Sequence, residues 1–224
     1  MITKYQAILL LAGKSTRFCS QCNTNKLLYK INDKYLFEYS LDYFINDSLC
    51  EKIVVVTNDE IKSLIKHNSK IIFTNGGKMR YQSVLKGLEK IDSEYVIVHD
   101  GARPLIKKSY IESLLKELEE YNSVSIGTKV TSTIKKVESD KVITIPRDNL
   151  YEVQTPQGAK TEVLKNALIK VKENDNITDD LMAFEKYTNE RIKIIIGSIS
   201  NIKVTTIEDI DLIKYYLNKG DYNV

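Results

Sequence analysis

The sequence predicts an α/β protein with a mostly parallel sheet and helices on both faces. Two observations carry this. Short apolar runs rich in β-branched residues alternate with helix-length amphipathic stretches along most of the chain. That alternation marks strand–helix–strand units stacked on a parallel sheet. The chain has 224 residues, of which 42% are apolar and 28% charged, enough for one ample globular domain.

In chain order, residues 7–11, 52–56, 70–73, 95–98, 124–126 and 192–196 read as buried strands. Helical patterns lie at 37–44, 61–65, 81–91, 110–121, 162–171, 180–187 and 207–217. The last opens with Thr205-x-x-Glu208, the pattern of a capping box. One segment breaks the rhythm: "TSTIKKVESDKVITIPR", residues 131–147, alternates polar and apolar residues on both sides of a turn-like "ESD". It reads as a β-hairpin. It is either an arm leaving the body or an ordinary edge hairpin.

The charge is nearly balanced, with 33 basic against 30 acidic residues. A net charge of +3 over this length gives no reason to expect a nucleic-acid partner, although it permits a local basic pocket. The apolar run 7–12 is far shorter than the ~20 residues of a membrane span. It is also too short for a signal peptide, so the expected location is cytoplasmic, with no membrane partner. Cys19 and Cys22 form a C-x-x-C pair, but only two histidines, His67 and His99, are present to complete a zinc site. With Cys50 far away, the pair reads as incidental loop cysteines.

In an open α/β sheet, ligands bind beyond the carboxyl ends of the strands. Those segments here are "LAGKSTRF", "TNGGKMR", "HDGARP" and "GSISNIKVTT". They supply glycines for close backbone approach, cations for phosphate and a carboxylate, Asp100, for a metal. "GKS" imitates the tail of a P-loop, whose first glycine would fall at position 8; that position is Ile8, inside the strand. The turn can still offer backbone N–H groups to an anion. Lys14 and Lys78 read as solvated charges, and His99 as a packed strand-end residue. In "ITDD", Asp179 and Asp180 either favour a helix start with Thr178 as N-cap or serve a site.

Taken in order, "LLAGKSTR", "NKL", "NGGKMRYQSV", "VHDGARP", "TSTIKKV", "VQTPQ", "ITDD" and "NIKVTT" resemble the 2-C-methyl-D-erythritol 4-phosphate cytidylyltransferase family, over nearly the whole chain. The resemblance implies transfer of CMP from CTP to 2-C-methyl-D-erythritol 4-phosphate, with release of pyrophosphate, in non-mevalonate isoprenoid synthesis. It implies a Rossmann-like nucleotidyltransferase three-layer sandwich, one domain over 1–224, with 131–147 as a protruding β-arm that joins a homodimer. For the nucleotide it implies Leu11, Ala12 and Gly13, with Gly77 and Ser83 near the base and Asp100 and Ala102 at the phosphates. Arg17 and Lys26 correspond to the pair that stabilises the transition state. Arg103 faces the reacting phosphates. Thr133 and Arg147, from the partner's arm, would hold the sugar phosphate, and Lys203 would position it. Thr155 and Thr178 occupy positions associated with the pocket. Mg²⁺ is the implied cofactor, beside Asp100.

The chain departs from the family pattern in places. Leu11 and Ser15 replace an alanine and a glycine in the first loop, which is two residues longer in the Cys19–Thr24 stretch. Lys78 and Ser132 stand where aspartates are usual, and Ser200 where an acidic residue is. Ribitol 5-phosphate cytidylyltransferase shares most of these motifs and is the nearest alternative. A nucleotide-binding module without catalysis is the other, and the cations kept at four loop ends speak against it.

Overall fold

The computed structural model describes residues 3–13, 15, 18 and 25–220. The expected elements form, with ends shifted by a few residues. They run as β1 (Tyr5–Leu10), β2 (Lys30–Ile31), β3 (Lys34–Tyr35), α1 (Leu36–Asn46), β4 (Cys50–Thr57), α2 (Asp59–Leu64), β5 (Ile71–Asn75) and α3 (Arg80–Leu88). They continue as β6 (Tyr95–Asp100), α4 (Lys108–Glu117), β7 (Ser123–Lys129), β8 (Ile134–Glu138), β9 (Lys141–Ile145), β10 (Tyr151–Lys160), α5 (Thr161–Ile169), α6 (Asp180–Tyr187), β11 (Ile192–Ile196) and α7 (Asp209–Asn218).

Seven strands make one sheet in the order β11-β7-β10-β6-β1-β4-β5. All run parallel except β10, which is antiparallel to both neighbours. Successive residues of β1 serve opposite faces, as the two-residue period of a strand requires. Ala7 and Leu9 join a core with α1, α4 and α7, while Ile8 packs with α3, α5 and α6. The result is the expected three-layer sandwich.

Two features were not legible in advance. β10, "YEVQTPQGAK", has no apolar run and carries Pro156, which demotes a strand reading. It forms because Gln154, Thr155 and Gln157 are buried and hydrogen-bonded, and the ladder to β7 absorbs an irregularity between Val153 and Gln157. The β2–β3 hairpin is too short for a periodic signal, and its turn places Asn32 and Asp33 at φ +49° and +63°.

Two expected helix starts are corrected. α6 is capped by Asp179, whose side chain accepts from Met182 N–H, and not by Thr178. At α7 the capping carboxylate is that of Asp209, which accepts from the N–H groups of Thr205 and Thr206, so the Thr205–Glu208 box does not form. Among the described residues β8 and β9 pair only with each other, and they are exposed along nearly their whole length. The hairpin adds no strand to the seven-stranded sheet.

Candidate active site

The parallel strands deliver their carboxyl ends to one edge of the sheet, and a cavity of about 400 Å³ opens there. Its wall combines Ala12, Gly13 and Ser15 after β1, Lys26, the turn from Gly77 to Arg80, Asp100 and Ala102 after β6, and Lys203 and Thr205. Ser15 takes a left-handed backbone (φ +54°), and its hydroxyl donates to Asn25 Oδ1 (3.0 Å) and accepts from Lys26 N–H (3.2 Å). Ser15 is thus tied to Asn25 and Lys26, and the Lys26 ammonium donates to Val204 O (2.7 Å).

The glycines have packing reasons. A Cβ on Gly76 would lie 2.4 Å from Ala12 Cβ, and one on Gly77 equally close to Gln82 Cβ. Only bare backbone lets the β5–α3 turn approach the β1 loop. Gly77 N–H donates to Ser83 Oγ (3.0 Å), so the serine shapes the turn from within.

Asp100 is the electrostatic centre. Its Oδ1 accepts from Arg80 Nε (3.3 Å) and its Oδ2 from Lys203 Nζ (2.5 Å). Its backbone N–H donates to Thr155 Oγ1 (3.1 Å), a contact supplied by the antiparallel strand. Burial favours the neutral acid, but Arg80 and Lys203 outweigh it and hold the carboxyl well below the usual range. Arg80 also donates from Nη1 to Asp180 Oδ1 (2.9 Å). Burial lifts Asp180 above the ordinary carboxylate range, with Arg80 opposing.

Next to Asp100, His99 is fully buried, its Nε2 3.0 Å from Arg103 O and its ring edge-on to Phe44. Burial pulls its pKa down to about 4, so the ring is neutral and structural, as expected for a packed strand end.

The expected site residues divide into two sets. Ala12, Gly13, Lys26, Gly77, Ser83, Asp100, Ala102 and Lys203 line the cavity together. Leu11 does not: its side chain is in the core, and Leu10 lines the wall in its place. Arg103 turns away to donate to Asn201 O (2.6 Å), and Thr155 supports Asp100 from behind. Thr178 is exposed, its hydroxyl towards Met182 Sδ at 3.8 Å. Thr133 and Arg147 are on the hairpin, outside the cavity wall; Arg147 bonds Thr131 O. Arg17, Lys14, Cys19 and Cys22 lie outside the described residues. Lys78, read as a solvated charge, is exposed but lines the cavity. The strand-end position of Arg80 was legible, but its bridging of two carboxylates was not. Asp180 carried only a weak signal, because an acid in a first helical turn needs no further reason.

The donor set suits Mg²⁺. Among the described residues no group of three His, Cys, Asp or Glu side chains could hold a metal unaided. Mg²⁺ commonly takes one or two carboxylates and completes its shell with substrate phosphates and water. Asp100, ionised and on the cavity wall, fits that role.

A family model described as 2-C-methyl-D-erythritol 4-phosphate cytidylyltransferase matches residues 5–219. A relative of that name from Lachnoclostridium phytofermentans is 39% identical over 219 residues, covering 92% of this chain and 93% of that protein. One from Thermotoga neapolitana is 32% identical over 213 residues, with 92% and 93% covered. Among solved structures, 4-diphosphocytidyl-2C-methyl-D-erythritol synthase from Anaerococcus prevotii superposes with a TM-score of 0.84 at 27% identity, covering 96% of each chain. The 2-C-methyl-D-erythritol 4-phosphate cytidylyltransferase of Francisella tularensis gives 0.81 at 28%, covering 95% of this chain and 99% of that one.

Proposed function

The chain belongs to the 2-C-methyl-D-erythritol 4-phosphate cytidylyltransferase family, and from that premise we infer which of its residues carry the reaction and how. The reaction joins the substrate's phosphate oxygen to the α-phosphorus of CTP. The bond from that phosphorus to the bridging oxygen breaks, and pyrophosphate leaves. No general base is needed, because a phosphate monoester is largely ionised at neutral pH (second pKa about 6). The barrier lies in bringing two anions together, so catalysis rests on alignment and on cations aimed at the transition-state charge.

The observation that carries this reading is Asp100 held between Arg80 and Lys203 on the wall of a cavity shared with Lys26. Gly13 and the Gly77 turn offer backbone to the nucleotide. Lys26, with Arg17, neutralises the triphosphate. Lys203 orients the incoming phosphate. Mg²⁺ held by Asp100 and the phosphates would act as a Lewis acid that withdraws charge from the triphosphate. Thr133 and Arg147 are too peripheral to complete their own cavity. They serve the site of a second copy in a homodimer joined through the β8–β9 hairpin. The reading includes a cytoplasmic location, where both anionic substrates would be met.

The test is pyrophosphate release from CTP with 2-C-methyl-D-erythritol 4-phosphate and, separately, with ribitol 5-phosphate. Turnover with the first alone is expected. Preference for ribitol 5-phosphate would overturn the substrate, equal use of ATP and GTP the cytidylyl specificity, and undiminished turnover in excess chelator the metal.

A further inference from the structure

Asp180 needs a reason to be where it is. Its side chain is only 3% exposed, yet it does not cap its helix. Asp179 does that, accepting from Met182 N–H (3.0 Å). Gln157 of β10 fixes the same turn independently, donating to Asp179 Oδ2 (3.0 Å) and accepting from Asp180 N–H (3.3 Å). Among the described residues the Asp180 carboxylate has one side-chain partner, Arg80 Nη1, and its Oδ2 is buried without a hydrogen bond, as is Arg80 Nη2. A buried carboxylate so incompletely satisfied is a poor stabilising device.

Its effect on Arg80 is clear. An arginine fork prefers two parallel bonds to one carboxylate. Here only one prong is used: Nε meets Asp100, its neighbour Nη2 has no hydrogen bond, and Nη1 on the far side meets Asp180. Asp100 therefore gives one oxygen to Arg80, and its other faces Lys203 on the cavity wall. We propose that Asp180 is a positioning residue that acts through Arg80: by holding Nη1 it fixes the guanidinium so that Nη2 does not close onto the second oxygen of Asp100, and so leaves that oxygen to Lys203 and to a divalent cation. This rests on the site assignment above and adds to it a residue outside the cavity wall.

The experiment measures Mn²⁺ affinity of the enzyme–CTP complex from the electron paramagnetic resonance signal of free Mn²⁺, without the second substrate. Asp180→Asn releases Arg80 onto Asp100 and is expected to weaken Mn²⁺ about tenfold, the low end of what disturbing the hydrogen-bond support of a metal ligand costs. CTP binding in chelator should stay near wild type. Asp180→Asn combined with Arg80→Gln removes both the restraint and the cation it restrains. It should recover most of the lost affinity. A double variant as weak as Asp180→Asn would overturn the proposal, as would a crystal structure of Asp180→Asn with Arg80 still on one oxygen of Asp100. Asp180→Glu keeps the hold on Arg80 and serves if the asparagine variant does not fold. A tenfold loss of Mn²⁺ affinity in Asp180→Glu would equally overturn the proposal. If wild type turned over no polyol phosphate while these Mn²⁺ effects held, the assigned reaction would fall and the role of Asp180 would stand.

Discussion

Asp100 and its partners sit behind packed strands, whereas Thr133 and Arg147 ride a two-stranded hairpin with solvent on both faces. Around Asp100, cations from α3 and the β11–α7 loop and a hydroxyl from β10 meet within hydrogen-bond distance. Each is anchored on a separate element, so the geometry exists before a ligand arrives. On the hairpin, Val137 and Val142 face each other at 68% and 63% exposure, and Ile134 and Ile143 are exposed on the opposite face. An isolated two-stranded hairpin is marginal in water. The first region needs no other surface to hold its shape. The second carries apolar side chains that the described residues of its own chain leave exposed, the surface the proposed second copy would cover.

Substitutions should separate the two regions sharply. Lys26→Ala removes a cation fixed in the body and should lower kcat about 10²–10³-fold, the cost of one lost transition-state contact, with little change in the mass of the assembly. Arg147→Ala should leave the KM for CTP in place and raise that for the polyol phosphate about 10–100-fold, since one charge-assisted hydrogen bond is lost. Mixing the two variants breaks or sharpens the contrast most directly. If the arm crosses to a second copy, half of randomly paired dimers carry one intact site, and activity should return to about a quarter of wild type. A silent mixture with confirmed heterodimers would show that each arm serves its own cavity.

Acid should affect the buried region rather than the exposed one. The His99 pKa is lowered from 6.5 to about 4, so the unfolded chain binds its proton first. The contribution is neutral above pH 6.5 and turns unfavourable as pH falls through that value towards 4, reaching about 2 kcal/mol at pH 5. His99→Gln should remove this acid sensitivity in urea titrations at pH 7 and pH 5, whereas wild type should lose midpoint between them. The smallest effect belongs to the hairpin. Val137→Ser should change the urea midpoint of a monomeric preparation by no more than about 0.5 kcal/mol equivalent, yet weaken the proposed dimer as measured by light scattering. A large loss of monomer stability would mean that the hairpin packs on its own body.

The apolar runs of β1, β4 and β6 and the amphipathic stretches between them were enough for the fold class, because burial on both faces leaves a continuous signal in the chain. The glycine turns, Lys26, Asp100 and Lys203 were legible for a related reason: strand ends in such a sheet must converge, and those residue types are the ones phosphate chemistry needs. Tertiary structure alone decided the rest. β10 is a central strand made of buried polar residues, which no apolar period announces. Leu11 and Arg103 each adjoin a lining residue in sequence, yet the first points into the core and the second to Asn201, while Thr155, on β10, stands behind Asp100. A strand reverses its side chains at every residue, so position along the chain does not say which way a residue faces. Arg80 and Asp180 are 100 residues apart and meet only because α3 and α6 pack on the same face of the sheet. A charge pair of that separation leaves no local pattern, and only the folded geometry selects it.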